Sequence, residues 1–94
     1  MKFFYVYVLY SFKDKKYYVG FTENLKKRYA EHKLGKVTST FPRLPIEHIF
    51  YKAYKNKYDA LRREKYLTSS KGKTTLKSML REFLKNIPLK VYSL

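Results

Sequence analysis

The chain opens on an unbroken apolar run, Phe3 to Tyr10, aromatic or branched at nearly every position. A run with no polar face predicts a strand covered on both sides and central in its sheet. Ser11 to Lys16, with Asp14 in the middle, makes a short polar connection. Tyr17 to Phe21 repeats the strand composition, so residues 3–21 read as a hairpin. Gly20 near its end predicts a close backbone approach or a bulge. Thr22 is placed as the cap of a helix running to about Leu34, with Glu23 in its first turn and Gly35 as the stop signal. Thr38-Ser39-Thr40 and two prolines mark residues 37–45 as loop. Ile46 to Tyr54 is a third strand, Asn56 to Ser69 a second helix, and Ser70-Lys71-Gly72-Lys73 a break. A third helix is expected from about Thr74 to Asn86, ended by Pro88. Its inner stripe is Leu76, Met79, Leu80 and Phe83, with Lys77, Arg81 and Lys85 outside. Leu89 to Leu94 could add a short edge strand. The order strand-strand-helix-strand-helix-helix predicts an α+β domain, a small three-stranded and mostly antiparallel sheet flanked by helices.

Ninety-four residues leave room for a single domain, residues 1–94, and for one core, which eleven Tyr and seven Phe help to fill. The absence of cysteine excludes a disulfide framework and a cysteine–zinc site. Met1 to Tyr5 has too few apolar residues to begin a signal peptide, and no apolar run approaches the roughly 20 residues of a membrane span. A cytoplasmic, membrane-free protein is expected. Charge changes the picture more. Twenty-two Lys and Arg against seven acids give a net +15, spread over both halves: ten basic and four acidic groups in residues 1–50, twelve and three in residues 51–94. Such a fold self-repels unless its partner is anionic. Nucleic acid is the expected partner, through counterion release, with an acidic membrane surface or acidic protein as the competing reading.

Helical phase then singles out chemistry. At about 100° per residue, Leu25, Arg28, Tyr29 and His32 share one face of the first helix, while Lys26, Lys27 and Lys33 point elsewhere. Arg28 could equally snorkel at the core edge, and His32 could be a satisfied interior histidine. On the second helix Ala60, Leu61, Glu64 and Leu67 form the inward stripe, with Glu64 the acid in it. A carboxylate there needs a metal, or an ion pair with Arg62, Arg63 or Arg28. Asp59 and Glu23 read as first-turn acids. The outward cations Lys26, Lys27, Arg62, Arg63, Lys77 and Arg81 are the expected phosphate contacts.

Tyr5-Val6-Tyr7, ten residues, then Tyr18-Val19-Gly20 resembles the paired GIY and YIG strands of the GIY-YIG nuclease superfamily. Thr22-Glu23-Asn24-Leu25 resembles that family's entry to its first helix, and Arg28 with His32 its helical Arg-x-x-x-His. Ala60-Leu61-Arg62-Arg63-Glu64-Lys65-Tyr66-Leu67 is similar to the helix carrying its metal-binding glutamate. The likeness covers residues 3 to about 70 and is nearest to short bacterial stand-alone members. It implies an endonuclease hydrolysing DNA with a divalent cation, Mg²⁺ or Mn²⁺, on Glu64. Tyr18 would act as general base or position the attacking water, helped by the metal or Arg28. Arg28 would stabilise developing phosphoryl charge, Tyr7 would hydrogen-bond the nucleophile or phosphate, and His32 would orient a neighbour or share the proton work. Low intrinsic sequence specificity is expected, with DNA shape, a partner protein or a homodimer supplying the rest; RNA stays open as a substrate. A non-catalytic DNA- or RNA-binding module on the same fold is the alternative. Three departures stand out: Tyr5 replaces the glycine of GIY, Phe21 stands where the repair branch has lysine, and residues 69–73 replace a basic, tryptophan-containing segment.

Overall fold

A computed structural model describes residues 2–87, so the expected helix stop at Pro88 and edge strand at 89–94 lie outside the described residues. The sheet is three-stranded and antiparallel, in the order β2-β1-β3, built from β1 (Phe4–Ser11), β2 (Tyr17–Thr22) and β3 (Ile46–Tyr54). The all-apolar β1 takes the centre, as its composition requires. Tyr7 pairs with Gly20 and Tyr51, and Val8 with Val19 and Phe50. Alternation therefore sends Tyr5, Tyr7, Leu9, Tyr18 and Gly20 to one face and Phe4, Val6, Val8, Val19 and Phe21 to the other.

On the second face Val6 and Val8 pack against Ala60 and Leu67 of α2 (Lys57–Leu67) and Leu76 of α3 (Ser70–Met79), all fully or nearly fully buried. The first face carries α1 (Leu25–Lys33), whose His32 touches Tyr7 and whose Tyr29 touches His48. The result is helix, sheet and helices in three layers, an α+β arrangement. On β3 the register slips between Val8 and Leu9, leaving Ile49 as an extra residue. Ile49 and Phe50 both pack on the core, while His48 and Tyr51 turn to the α1 face.

Several boundaries differ from expectation. Asn24, not Thr22, caps α1, its side chain accepting from Lys27 N at 3.1 Å; Thr22 Oγ1 instead accepts from the Asn24 N–H. Glu23 therefore precedes the helix and pairs with Lys2 at 2.6 Å. Residues 41–43 form a 3₁₀ turn inside the loop, with Pro42 second in it, where its fixed φ suits a first helical turn. Gly35 does end α1, at φ +76.

The expected break at 70–73 is the start of α3. Ser69 Oγ caps it on Gly72 N at 3.1 Å, and α3 ends at Met79. A separate turn, α4 (Arg81–Lys85), follows, so the expected continuous helix 74–86 is two pieces divided at Leu80. Gly72 read as a breaker because glycine usually is one. Here it is a contact: a Cβ on it would lie 1.9 Å from the Tyr66 carbonyl oxygen.

Candidate active site

Tyr7 is the hub. Its ring crosses the opposite strand directly over Gly20, where a Cβ would fall 2.3 Å from the phenol carbon and oxygen. The close approach foreseen at Gly20 is thus made by a side chain. The Tyr7 hydroxyl sits 2.8 Å from His32 Nε2, and His32 Nδ1 sits 2.7 Å from Thr40 Oγ1. Because Thr40 has the Val37 carbonyl as its own acceptor at 3.5 Å, we assign the tautomer in which Nδ1–H donates to Thr40 and Nε2 accepts from Tyr7. His32 is 0% exposed. Burial, then the nearby Arg28 charge, pushes its pKa down to about 4, so it is a neutral imidazole at physiological pH. His32 is both the satisfied interior histidine and a partner of the site.

Tyr18, two residues from Gly20 on the same face, brings its ring within 6.4 Å of Tyr7 and 5.3 Å of His32. Arg28 reaches the same place from α1, held by Glu31 at 3.1 Å. Burial raises the Tyr7 pKa, an effect opposed by the Arg28 guanidinium beside it and reinforced by Tyr18 and Glu64. Tyr7 is therefore a protonated donor at neutral pH. Glu64 comes from α2 in the opposite layer, separated from α1 by the sheet whose edge strand is β2, and its charge is felt at Tyr7. Its own pKa is raised by burial. The cations foreseen as its ion partners are engaged elsewhere: Arg28 with Glu31, Arg62 with Asp59 at 2.6 Å, and Arg63 over the Tyr66 ring. Among the described residues no ion pair satisfies Glu64, and no group of three or more His, Cys, Asp or Glu forms a ready-made metal cage.

Of the expected phosphate contacts, Lys26, Lys27, Arg62, Lys77 and Arg81 are exposed, and Arg63 is half-buried against Met79. Three neighbours of the site were not foreseen. Thr40 orients His32, and nothing in a Thr-Ser-Thr loop run signals that. Arg43 lies over the Tyr18 ring at 5.9 Å. His48, which the β3 bulge turns to this face, lies 6.1 Å from Tyr7, with its Nε2 buried and unpartnered among the described residues.

A family model described as the GIY-YIG catalytic domain matches residues 3–77, which include all five of these catalytic candidates. The chain belongs to the GIY-YIG nuclease family. A UPF0213 protein of Pediococcus acidilactici is 36% identical over 86 residues, covering 88% of this chain and 82% of the relative. A UPF0213 protein of Limosilactobacillus reuteri is 38% identical over 66 residues, 67% and 68% of the two chains. No solved structure matches the chain. The GIY-YIG match reaches past residue 70 into α3. Among the described residues no helix is long and apolar enough to cross a membrane.

Proposed function

We propose that this chain is a divalent-metal-dependent endonuclease that hydrolyses DNA phosphodiester bonds. The observation that carries the reading is the meeting of Tyr7, Tyr18, Arg28 and His32 on one face of β1 and β2, with Glu64, which has no ion pair among the described residues, in electrostatic range. Arg28 supplies a fixed positive charge for the phosphoryl oxygens as negative charge builds on them. Tyr7 donates its one hydroxyl proton to His32, which is too weak a base to take it at neutral pH, and this leaves the phenol oxygen fixed to accept a hydrogen bond from the nucleophile. Tyr18 faces the same space and would position the attacking water; to receive that water's proton it must first lose its own to solvent, a loss that the Arg28 charge and the bound cation would favour. Glu64 is the residue that would hold the cation, since a half-buried carboxylate without a counter-charge is relieved by one. A single carboxylate with water and substrate phosphate as the remaining ligands suits Mg²⁺ or Mn²⁺. The ion, when bound, supplies Lewis acidity at the scissile phosphate. Low intrinsic sequence specificity is in keeping with cations that are mostly lysines dispersed over the surface, which neutralise phosphate and do not read base edges.

The test is cleavage of supercoiled, linear and single-stranded DNA with Mg²⁺ or Mn²⁺, against EDTA and against Glu64→Gln. Metal-dependent cutting that falls at least about 100-fold in the variant, with DNA binding retained, is the expected result. Full activity in Glu64→Gln would end the assignment. Tight binding without cleavage under either metal would leave a nucleic-acid-binding module.

A further inference from the structure

Tyr17 and Tyr18 are neighbours on β2 and face opposite layers. On the Tyr17 side, away from Tyr7 and His32, a cleft of about 550 Å³ is lined by Lys15, Lys16, Arg43, Lys73 and Lys77, with Asp14 as its one acid and Tyr10 and Tyr17 beside them. Its cations come from three separate elements. Lys15 and Lys16 stand on the hairpin turn, fixed by bonds from Lys15 N to Ser11 O at 2.8 Å and from Lys16 N to Asp14 Oδ1 at 2.9 Å. Lys73 and Lys77 are one turn apart on α3, a helix with no acidic residue, so their repulsion is uncompensated within it. Arg43 closes one end and is the only one of the five with an ion pair among the described residues, to Asp14 at 2.8 Å. Four lysines without an ion pair among the described residues give this concavity a positive potential that favours an anionic occupant.

Two further observations identify the occupant. Arg43 belongs to both places: it donates to the Tyr17 carbonyl at 3.1 Å, lines the cleft, and lies over the ring of Tyr18. Arg43 thus stands between the cleft and the candidate site, at the edge strand that separates them. Its volume also falls within the roughly 300–1,000 Å³ of small-ligand pockets. A double helix, whose major groove alone is roughly 12 Å wide, does not enter it. We infer that the cleft takes an unpaired strand of DNA leading away from the scissile phosphate, so that the preferred substrate joins a duplex to a single-stranded tail. This rests on the nuclease reading of the same site and names its substrate class.

Binding is measured by fluorescence anisotropy in EDTA over a range of salt. The probes are a blunt duplex, the same duplex with a 3′ or 5′ single-stranded tail, and the tail alone. The proteins are wild type and Lys15→Ser/Lys16→Ser/Lys73→Ser, with circular dichroism to confirm the fold. Wild type should prefer a tailed probe to the blunt duplex at least tenfold. The triple variant should lose that preference, its salt slope on the tailed probe falling by about 2 while the slope on duplex is unchanged. Equal wild-type affinity for blunt and tailed probes, or an equal loss on both in the variant, overturns the proposal. Because no metal is present, the result is independent of cleavage, which the Glu64→Gln experiment reads separately.

Discussion

His32 is held between two hydroxyls with no exposed surface, and its proton affinity follows from that confinement. Its folded pKa of about 4 lies below the usual 6.5. Above pH 6.5 neither the folded nor the unfolded chain is protonated here, and the histidine makes no pH-dependent contribution. Between those values the unfolded chain takes up a proton that the folded one refuses, so stability falls as pH falls. The loss is about 1.4 kcal/mol per pH unit, on the order of 3 kcal/mol in all. His48, also lowered by burial, acts in the same sense. Melting curves at pH 7.5 and 4.5 should show wild type losing more stability than His32→Gln; equal losses would mean that His32 is protonated while folded. Gly20 gives a second residue-scale test. Alanine there meets the Tyr7 ring, so Gly20→Ala should cost about 1–3 kcal/mol and, by moving the phenol about 1 Å, cut cleavage on the order of 100-fold. Unchanged melting and unchanged rate would show that the ring has room to spare. Helical phase reads Arg28, His32 and Glu64 out of the sequence because a polar group on an apolar stripe is visible in one helix. Thr40, Arg43 and His48 are illegible in it, since each matters only through a partner from another element.

Among the elements, the apolar runs announce the strands and their order, and the composition of β1 alone places it centrally. Capping is harder to read, because Thr22 and Asn24 both suit a helix start and only their mutual hydrogen bond decides between them. The segment 69–73 misleads for a related reason: Ser69 begins a helix and Gly72 serves the packing of α3 on the end of α2. The sign of a substitution follows. In an exposed helix Gly→Ala gains up to about 1 kcal/mol. At Gly72 the added carbon strikes backbone, so Gly72→Ala should destabilise by about 3 kcal/mol or more in urea titration. A stabilising result would mean that the two helices separate freely.

Over the whole molecule the positive charge divides into neutralised and free groups. Arg62 is tied to Asp59, and Arg81 and Lys85 both approach Glu82, while Lys26 and Lys27 have no acidic partner within 4.0 Å among the described residues. Replacing Lys26 and Lys27 with alanine should lower the salt dependence of duplex binding by about 2 in slope, equally on any sequence. Arg62→Ala should change it less than either lysine. A slope unmoved by the double variant would take this side of α1 out of the contact surface.

The extra residue at Ile49 gives β3 a reading frame. Upstream of it, His48 turns to the α1 face, and downstream Phe50 and Tyr54 turn to the core. Strict alternation would have set His48 and Phe50 on the same side. Loss of Ile49 itself would close the bulge and leave both halves in phase, whereas loss of a residue elsewhere in the strand would invert the side chains between that point and the bulge. In the loop at 34–40, Lys36, Thr38 and Ser39 are exposed and have no such phase to keep. Tolerance of insertions and deletions should accordingly be lower in β3, a strand at the margin of the sheet, than at those loop positions, with Ile49 the exception within the strand.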